Sequence, residues 1–194
     1  MNQFVNLHTQ TYYSLADSMI TPKSLFERIK ELNQPAIGVC EHGTMFSAWD
    51  CYKEYKKTNI KLLIGCEFNF IDDLELANSK QRLRHIILYA KNHEGYKNLL
   101  QLHRRANDFN LISGKKVYPR IDWNLLEQYS KNLVCLTSDA NGILGQLINT
   151  RRIDEARNQA KRLKNIFEND LAFEIQPHAM KKQSTNYTDC IDQT

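Results

Sequence analysis

No stretch of this 194-residue chain approaches the run of ~20 apolar residues that a bilayer-spanning helix requires. The N-terminus, Met1-Asn2-Gln3-Phe4, lacks the basic and then apolar regions of a secretory signal. These absences predict a cytoplasmic protein with no membrane partner. Cys-x-x-Cys pairs are also missing. The five cysteines are odd in number and widely spaced, and three of them (Cys40, Cys66, Cys135) sit in apolar strand-like runs. That pattern argues for reduced core thiols rather than a disulfide framework. GxGxxG and GxxxxGK motifs are absent, so nothing supports nucleotide binding by a glycine loop. GxSxG, HExxH and zinc-finger spacings are absent too. With no internal repeat, low-complexity segment or composition shift, the chain reads as one β/α domain over residues 1–176. A polar tail, or the start of a missing remainder, follows over 177–194.

Positive charge is modest in sum, at +4, but unevenly placed. Lys91, Lys97, Arg104, Arg105, Lys115, Lys116 and Arg120 face only two acidic residues between positions 91 and 120. Residues 151–164 are similarly basic. Such patches attract phosphate backbones, and equally often they are plain solvated helix faces. Arg104, Arg105, Lys115 and Lys116 are the candidate nucleic-acid contacts, with DNA a candidate partner.

Apolar runs of strand length alternate with segments of helical period. Strands are expected at Gln3–Leu7, Ala36–Cys40, Lys61–Cys66, Ile86–Ala90, Asn132–Leu136 and Leu171–Ile175. Thr21-Pro22 opens a helix, because threonine caps and proline suits the first helical position. A second helix starts at Gly43 or Thr44 and carries Phe46, Trp49, Tyr52 and Tyr55. A third spans Glu94–Arg105. Residues 71–84 and 107–120 read as loops, Asp122 caps a short helix, and helices cover about 141–149 and 152–168. The alternation predicts a mainly parallel β/α arrangement, either a doubly wound sheet or a barrel.

Metal-capable side chains fall at the ends of these strands. His8 follows the first, Glu41 and His42 the second and Glu67 the third, while His85 precedes the fourth. Strand ends are where β/α folds gather ligands. Any one of these side chains alone reads as structural. Together they predict a shared divalent-ion site at a barrel mouth, where paired ions activate water and neutralise phosphate charge. His93, His103 and His178 lie in helix or tail contexts and read as surface residues.

The same residues carry a family resemblance. Phe4-Val5-Asn6-Leu7-His8-Thr9-Gln10-Thr11-Tyr12-Tyr13-Ser14-Leu15 resembles the opening of the PHP (polymerase and histidinol phosphatase) domain. The resemblance is nearest to the branch at the N-terminus of bacterial replicative DNA polymerase III alpha subunits. It continues through Ala36-Ile37-Gly38-Val39-Cys40-Glu41-His42-Gly43, Ile64-Gly65-Cys66-Glu67 and His85-Ile86-Ile87-Leu88-Tyr89-Ala90, and more weakly to Phe173-Glu174-Ile175-Gln176. It implies a distorted, TIM-like β/α barrel of about seven strands, C-terminally incomplete here, with a metal cluster at its mouth. His8, His42, Glu67 and His85 match family ligand positions, Glu41 stands where aspartate is usual, and Asp139 falls at a position that is often cysteine. Gln10 replaces the second imidazole of the first motif, and the late family ligands have no counterpart.

The resemblance implies the PHP module of a replicative polymerase, partnered by its remaining domains or subunits. On this reading it is a scaffold with a degraded site that binds Zn, Mn or Mg weakly. No polymerase palm is present, so templated synthesis by this chain is not expected. The alternative is an active metal-dependent phosphoesterase, either a 3′–5′ exonuclease or a small-molecule phosphatase. A third reading is a non-enzymatic nucleic-acid-binding fragment.

Overall fold

In the computed structural model, described residues are 4–15, 17–74, 82–109, 111–113 and 116–176. The expected tail over 177–194 lies outside them. Helix α1 (Pro22–Glu31) begins as its sequence requires: the Thr21 hydroxyl accepts the Ser24 N–H, and the Ser24 hydroxyl accepts the Thr21 N–H. Strand β1 (Ala36–His42) ends at Gly43, whose φ of 68° lies in the left-handed region open to glycine. That turn delays α2, which covers Ala48–Tyr55 instead of starting at Gly43 or Thr44. Strand β2 (Lys61–Phe70) runs parallel to β1, with His42 opposite Glu67.

Strand β3 (Arg84–Ala90) lies antiparallel to β2, which corrects the expectation of a parallel fourth strand. β2 and β3 are consecutive in the chain and neighbours in the sheet, an antiparallel arrangement that needs no crossover helix. After α3 (His93–Asp108), the expected loop at 107–120 instead holds a small hairpin of β4 (Leu111–Ser113) and β5 (Lys116–Tyr118). Next, β6 (Arg120–Ile121) extends the β1 edge by pairing with the end of β2. Asp122 caps α4 (Trp123–Tyr129), accepting the Leu125 N–H at 2.9 Å. Strand β7 (Leu133–Leu136) pairs antiparallel to β3, and helices α5 (Gly145–Asn149) and α6 (Ile153–Phe167) follow. The last expected strand is shorter than its apolar run: β8 covers only Leu171–Ala172, parallel to β7. The result is a six-stranded mixed α/β sheet.

The first expected strand, 3–7, forms no regular strand among the described residues, yet it lies along β1. The Gly38 N–H bonds Asn6 O and the Cys40 N–H bonds Thr9 O, so three residues on one side span two on the other. This bulge breaks the ladder and turns His8 inward.

Side chains along a strand alternate between faces. Cys66, Phe68, Phe70, Ile86, Leu88 and Cys135 face α3, α4 and α6 and form the main core. Ile37 and Val39 face α1 and Cys51 of α2. On the opposite face, Cys40, Ile87, Tyr89 and Leu136 form a smaller inner core with Leu7, Leu63 and Val134. Tyr89 crosses this inner face over two glycines. A Cβ on Gly65 would fall 2.7 Å from the Tyr89 ring, and one on Gly38 would fall 2.8 Å from its hydroxyl. The sheet curls around this face until its edge segments meet: His8 Nδ1 lies 2.6 Å from Glu174 Oε1. No helix among the described residues is long and apolar enough to cross a membrane.

Candidate functional site

The inner face ends in polar side chains because period two carries each strand's inward set to the same rim. On β1 that set continues from Cys40 to His42. On β2 it runs from Gly65 through Glu67 to Asn69, and on β3 it begins at His85. Past β7 it reaches Ser138. Glu67, only 3% exposed, is the hub. Its Oε1 lies 3.3 Å from His85 Nδ1 and 3.5 Å from His8 Nε2, and it accepts the Ser138 hydroxyl at 3.0 Å. Its Oε2 accepts the Gln10 side-chain amide at 2.6 Å. The His8 ring is held from its other side by Glu174 and by Gln176 Nε2 at 3.0 Å. His42 packs edge-on to His85, with ring centroids 4.7 Å apart, and its Nε2 lies 3.2 Å from Asn69 Oδ1. Asp17 sits 3.5 Å from His42 Nδ1.

Electrostatics follow from this packing. Burial alone would lower the His8 imidazole, but its hydrogen bonds to Glu174 and Glu67 outweigh burial and push it up to about 10. Burial likewise opposes a charge on His85, and the Glu67 hydrogen bond raises it nonetheless. Burial would raise the Glu67 carboxyl, yet His8 and His85 hold it far below the usual carboxylate range. The cluster is thus bound together by opposite charges in a confined space.

The structure brings His8, Glu67 and His85 into direct contact, with His42 beside them. It places Glu41 elsewhere. Glu41 is 1% exposed and points to the α1–α2 side. There it accepts the Thr11 N–H at 3.1 Å, the Thr11 hydroxyl at 2.6 Å and the Ser14 hydroxyl. Its neighbour His42 projects to the other face, so a shared ion cannot be held by both through adjacent positions of one strand. Asp139 is half-buried near His85, and its Oδ1 accepts the Asn141 N–H at 2.8 Å. Of the candidate nucleic-acid contacts, Arg105 pairs with Asp108 at 3.0 Å and Arg104 bonds Gln101 at 3.3 Å. Lys115 and the Lys116 side chain lie outside the described residues. His103 is half-buried rather than fully exposed, and burial lowers its imidazole.

Asn69, Ser138 and Glu174 belong to the constellation but were not among the sequence candidates. Asn69 and Ser138 each lie two residues beyond an inward position, a signal that period two carries. Glu174 reaches the cluster only because the sheet curls.

A resident divalent ion needs converging lone pairs. Here the Glu67 oxygens accept hydrogen bonds from Gln10 and Ser138 and lie against the His8 and His85 rings, Gln10 presents N–H donors where an imidazole would offer a lone pair, and Glu41 is engaged by Thr11 and Ser14. Among the described residues, no group of three or more His, Cys, Asp or Glu side chains is arranged to hold an ion. The donor set does not fit a resident metal.

The sequence that builds this sheet and its rim matches the PHP domain family over residues 6–178, and the chain belongs to that family. It is 34% identical over 186 residues to the DNA polymerase III subunit alpha of Borreliella burgdorferi, a match covering 94% of this chain and 16% of that protein. It is 35% identical over 191 residues to the same subunit of Helicobacter pylori, covering 93% and 15% respectively. The chain therefore spans about a sixth of the length of these relatives. Among solved structures it is similar to an amidohydrolase from Chromobacterium violaceum, with a TM-score of 0.41 and 14% identity, over 54% of this chain and 33% of that one.

Proposed function

We propose that this chain is the PHP module of a DNA polymerase III alpha-type replicative polymerase, and that it serves as a scaffold. Its rim cluster holds the fold together by hydrogen bonds and charge in place of a metal. The observation that carries this reading is the engagement of Glu67: Gln10 fills Oε2, while Ser138, His8 and His85 surround Oε1. The curl of the sheet is in keeping with the family's barrel, with His8 and Glu174 as the contact between its edge segments. Phe46, Trp49 and Tyr52 project from α2 and the turn before it, at 68%, 67% and 41% exposure. Large exposed apolar side chains of this kind mark interaction surfaces. The occupant proposed is the remainder of the polymerase, because the relatives are about six times longer than this chain.

One observation favours the alternative, an active metal-dependent phosphoesterase. Glu174 Oε2 is buried without a hydrogen-bond partner among the described residues, leaving a carboxylate oxygen free beside His8. The two readings separate in one assay. The natural chain, Gln10→His and His42→Ala are titrated calorimetrically with manganese, zinc and magnesium, then given phosphate monoesters and 3′ DNA ends. The scaffold reading expects no saturable metal binding and no hydrolysis by the natural chain. Gln10→His frees Glu67 Oε2, adds an imidazole and is expected to bind metal measurably. Turnover by the natural chain that His42→Ala abolishes would overturn the scaffold reading.

A further inference from the structure

Behind the rim cluster, on the opposite face of β3, lies a second polar site that the reading above does not use. Arg84 and His85 are consecutive, so His85 faces the cluster while Arg84 faces outward to α6. There Asp72, Arg82, Arg84, Gln146, Thr150 and Arg152 line a cavity of about 170 Å³, with Leu147 as its apolar wall. Arg84 is nearly buried and is held in place by Asp72 Oδ1 at 2.6 Å and Gln159 Oε1 at 2.8 Å. Gln146 anchors the wall by donating to Leu83 O at 2.7 Å. Arg152 is steadied by Glu155, whose Oε1 accepts its Nε at 2.7 Å. Arg82 is exposed and has no carboxylate partner among the described residues.

We propose that this cavity binds a phosphate group. Guanidinium forks match the oxygens of phosphate, and forks already fixed by neighbours lose little entropy on binding. Arg82 and the two held guanidinium groups of Arg84 and Arg152 line one opening against two carboxylates, Asp72 and Glu155, so the opening keeps excess positive charge. A clamp joining β3 to α6 would need only Arg84 with Asp72 and Gln159. That role leaves Arg82 at the mouth unexplained, whereas an oxyanion employs it beside Arg152. The phosphate is carried either by a nucleic-acid strand crossing this surface or by a small anion.

The test uses the whole 194-residue chain. Inorganic phosphate and a fluorescent single-stranded oligonucleotide are titrated separately at low and moderate salt, against the natural chain, Arg82→Glu and Arg152→Gln. Circular dichroism melts establish that the variants are folded, which the exposed position of both side chains favours. Arg82→Glu is expected to weaken binding about tenfold at low salt and to reduce the salt slope for the oligonucleotide by about 1. Binding of phosphate alone, weakened by either variant, assigns the site to a small anion. Binding of the oligonucleotide, weakened by either variant and competed by phosphate, assigns it to a strand. Absence of binding to the natural chain, or binding untouched by both substitutions, overturns the proposal. Neither result bears on the metal titrations of the rim cluster, which lies on the other face of β3.

Discussion

Glu41 and Glu67 are both buried glutamates near the ends of adjacent parallel strands, and the structure uses them in opposite ways. Glu67 points into the curl of the sheet and meets two imidazoles that are raised by its charge. Glu41 points to the helix side and is satisfied by the Thr11 N–H and the hydroxyls of Thr11 and Ser14. One carboxylate is the counter-charge of a cluster, and the other is a clamp on a loop. What separates them is face parity: one residue along β1 moves a side chain from the cluster face to the helix face.

The largest break in this comparison comes from Glu67→Ala. It leaves His8 and His85 without their shared counter-charge and orphans Gln10 and Ser138. Losing one partner of a buried ionic group costs about 3–5 kcal/mol. Urea unfolding of the variant should show that loss, and a cost under ~1 kcal/mol would mean the cluster is not a stability hub. Glu41→Ala removes an acceptor from neutral donors only and should cost less, about 1–3 kcal/mol. A larger loss from Glu41→Ala than from Glu67→Ala would invert the comparison.

The smallest effect lies in the pH profile, and its sign follows from the directions of the shifts. His8 is raised from 6.5 to about 10. Its contribution is therefore complete below pH 6.5 and is lost as pH rises through about 10. Glu67 is lowered, so its contribution is complete above the ordinary carboxylate value and is lost as the solution is acidified. The melting temperature should peak between these limits and fall gradually on the alkaline side. Glu67→Gln should flatten the acid flank and only reduce the alkaline one, because Glu174 also raises His8, and an unchanged acid flank in that variant would remove Glu67 as its cause.

Much of this was legible in the residues. Thr21-Pro22 announced α1 and Asp122 announced α4, because capping is local chemistry. The positions of β1, β2, β3 and β7 followed from short apolar runs bounded by turn residues. The hairpin at 111–118 was not legible, since its strands are only three residues each and lie between turn-forming residues. The bulge that denies residues 4–10 a regular strand was not legible either, because it depends on how they register against β1. His8, Glu67 and His85, singled out for their places at strand ends, do lie together in the structure. Glu41 was misplaced by the same reasoning, which treated neighbouring positions as equivalent.

The sequence by itself determined the β/α character, the places of β1, β2, β3, β7, α1, α3, α4 and α6, and the family to which the chain belongs, because these rest on local periodicity and on ordered blocks of residues. Only the tertiary structure decided that β3 runs antiparallel, that Glu174 closes on His8 from 166 positions away, and that Gln10 occupies Glu67 Oε2. Those outcomes depend on sheet curl and on which face each side chain takes. Both are set by packing between segments far apart in the chain.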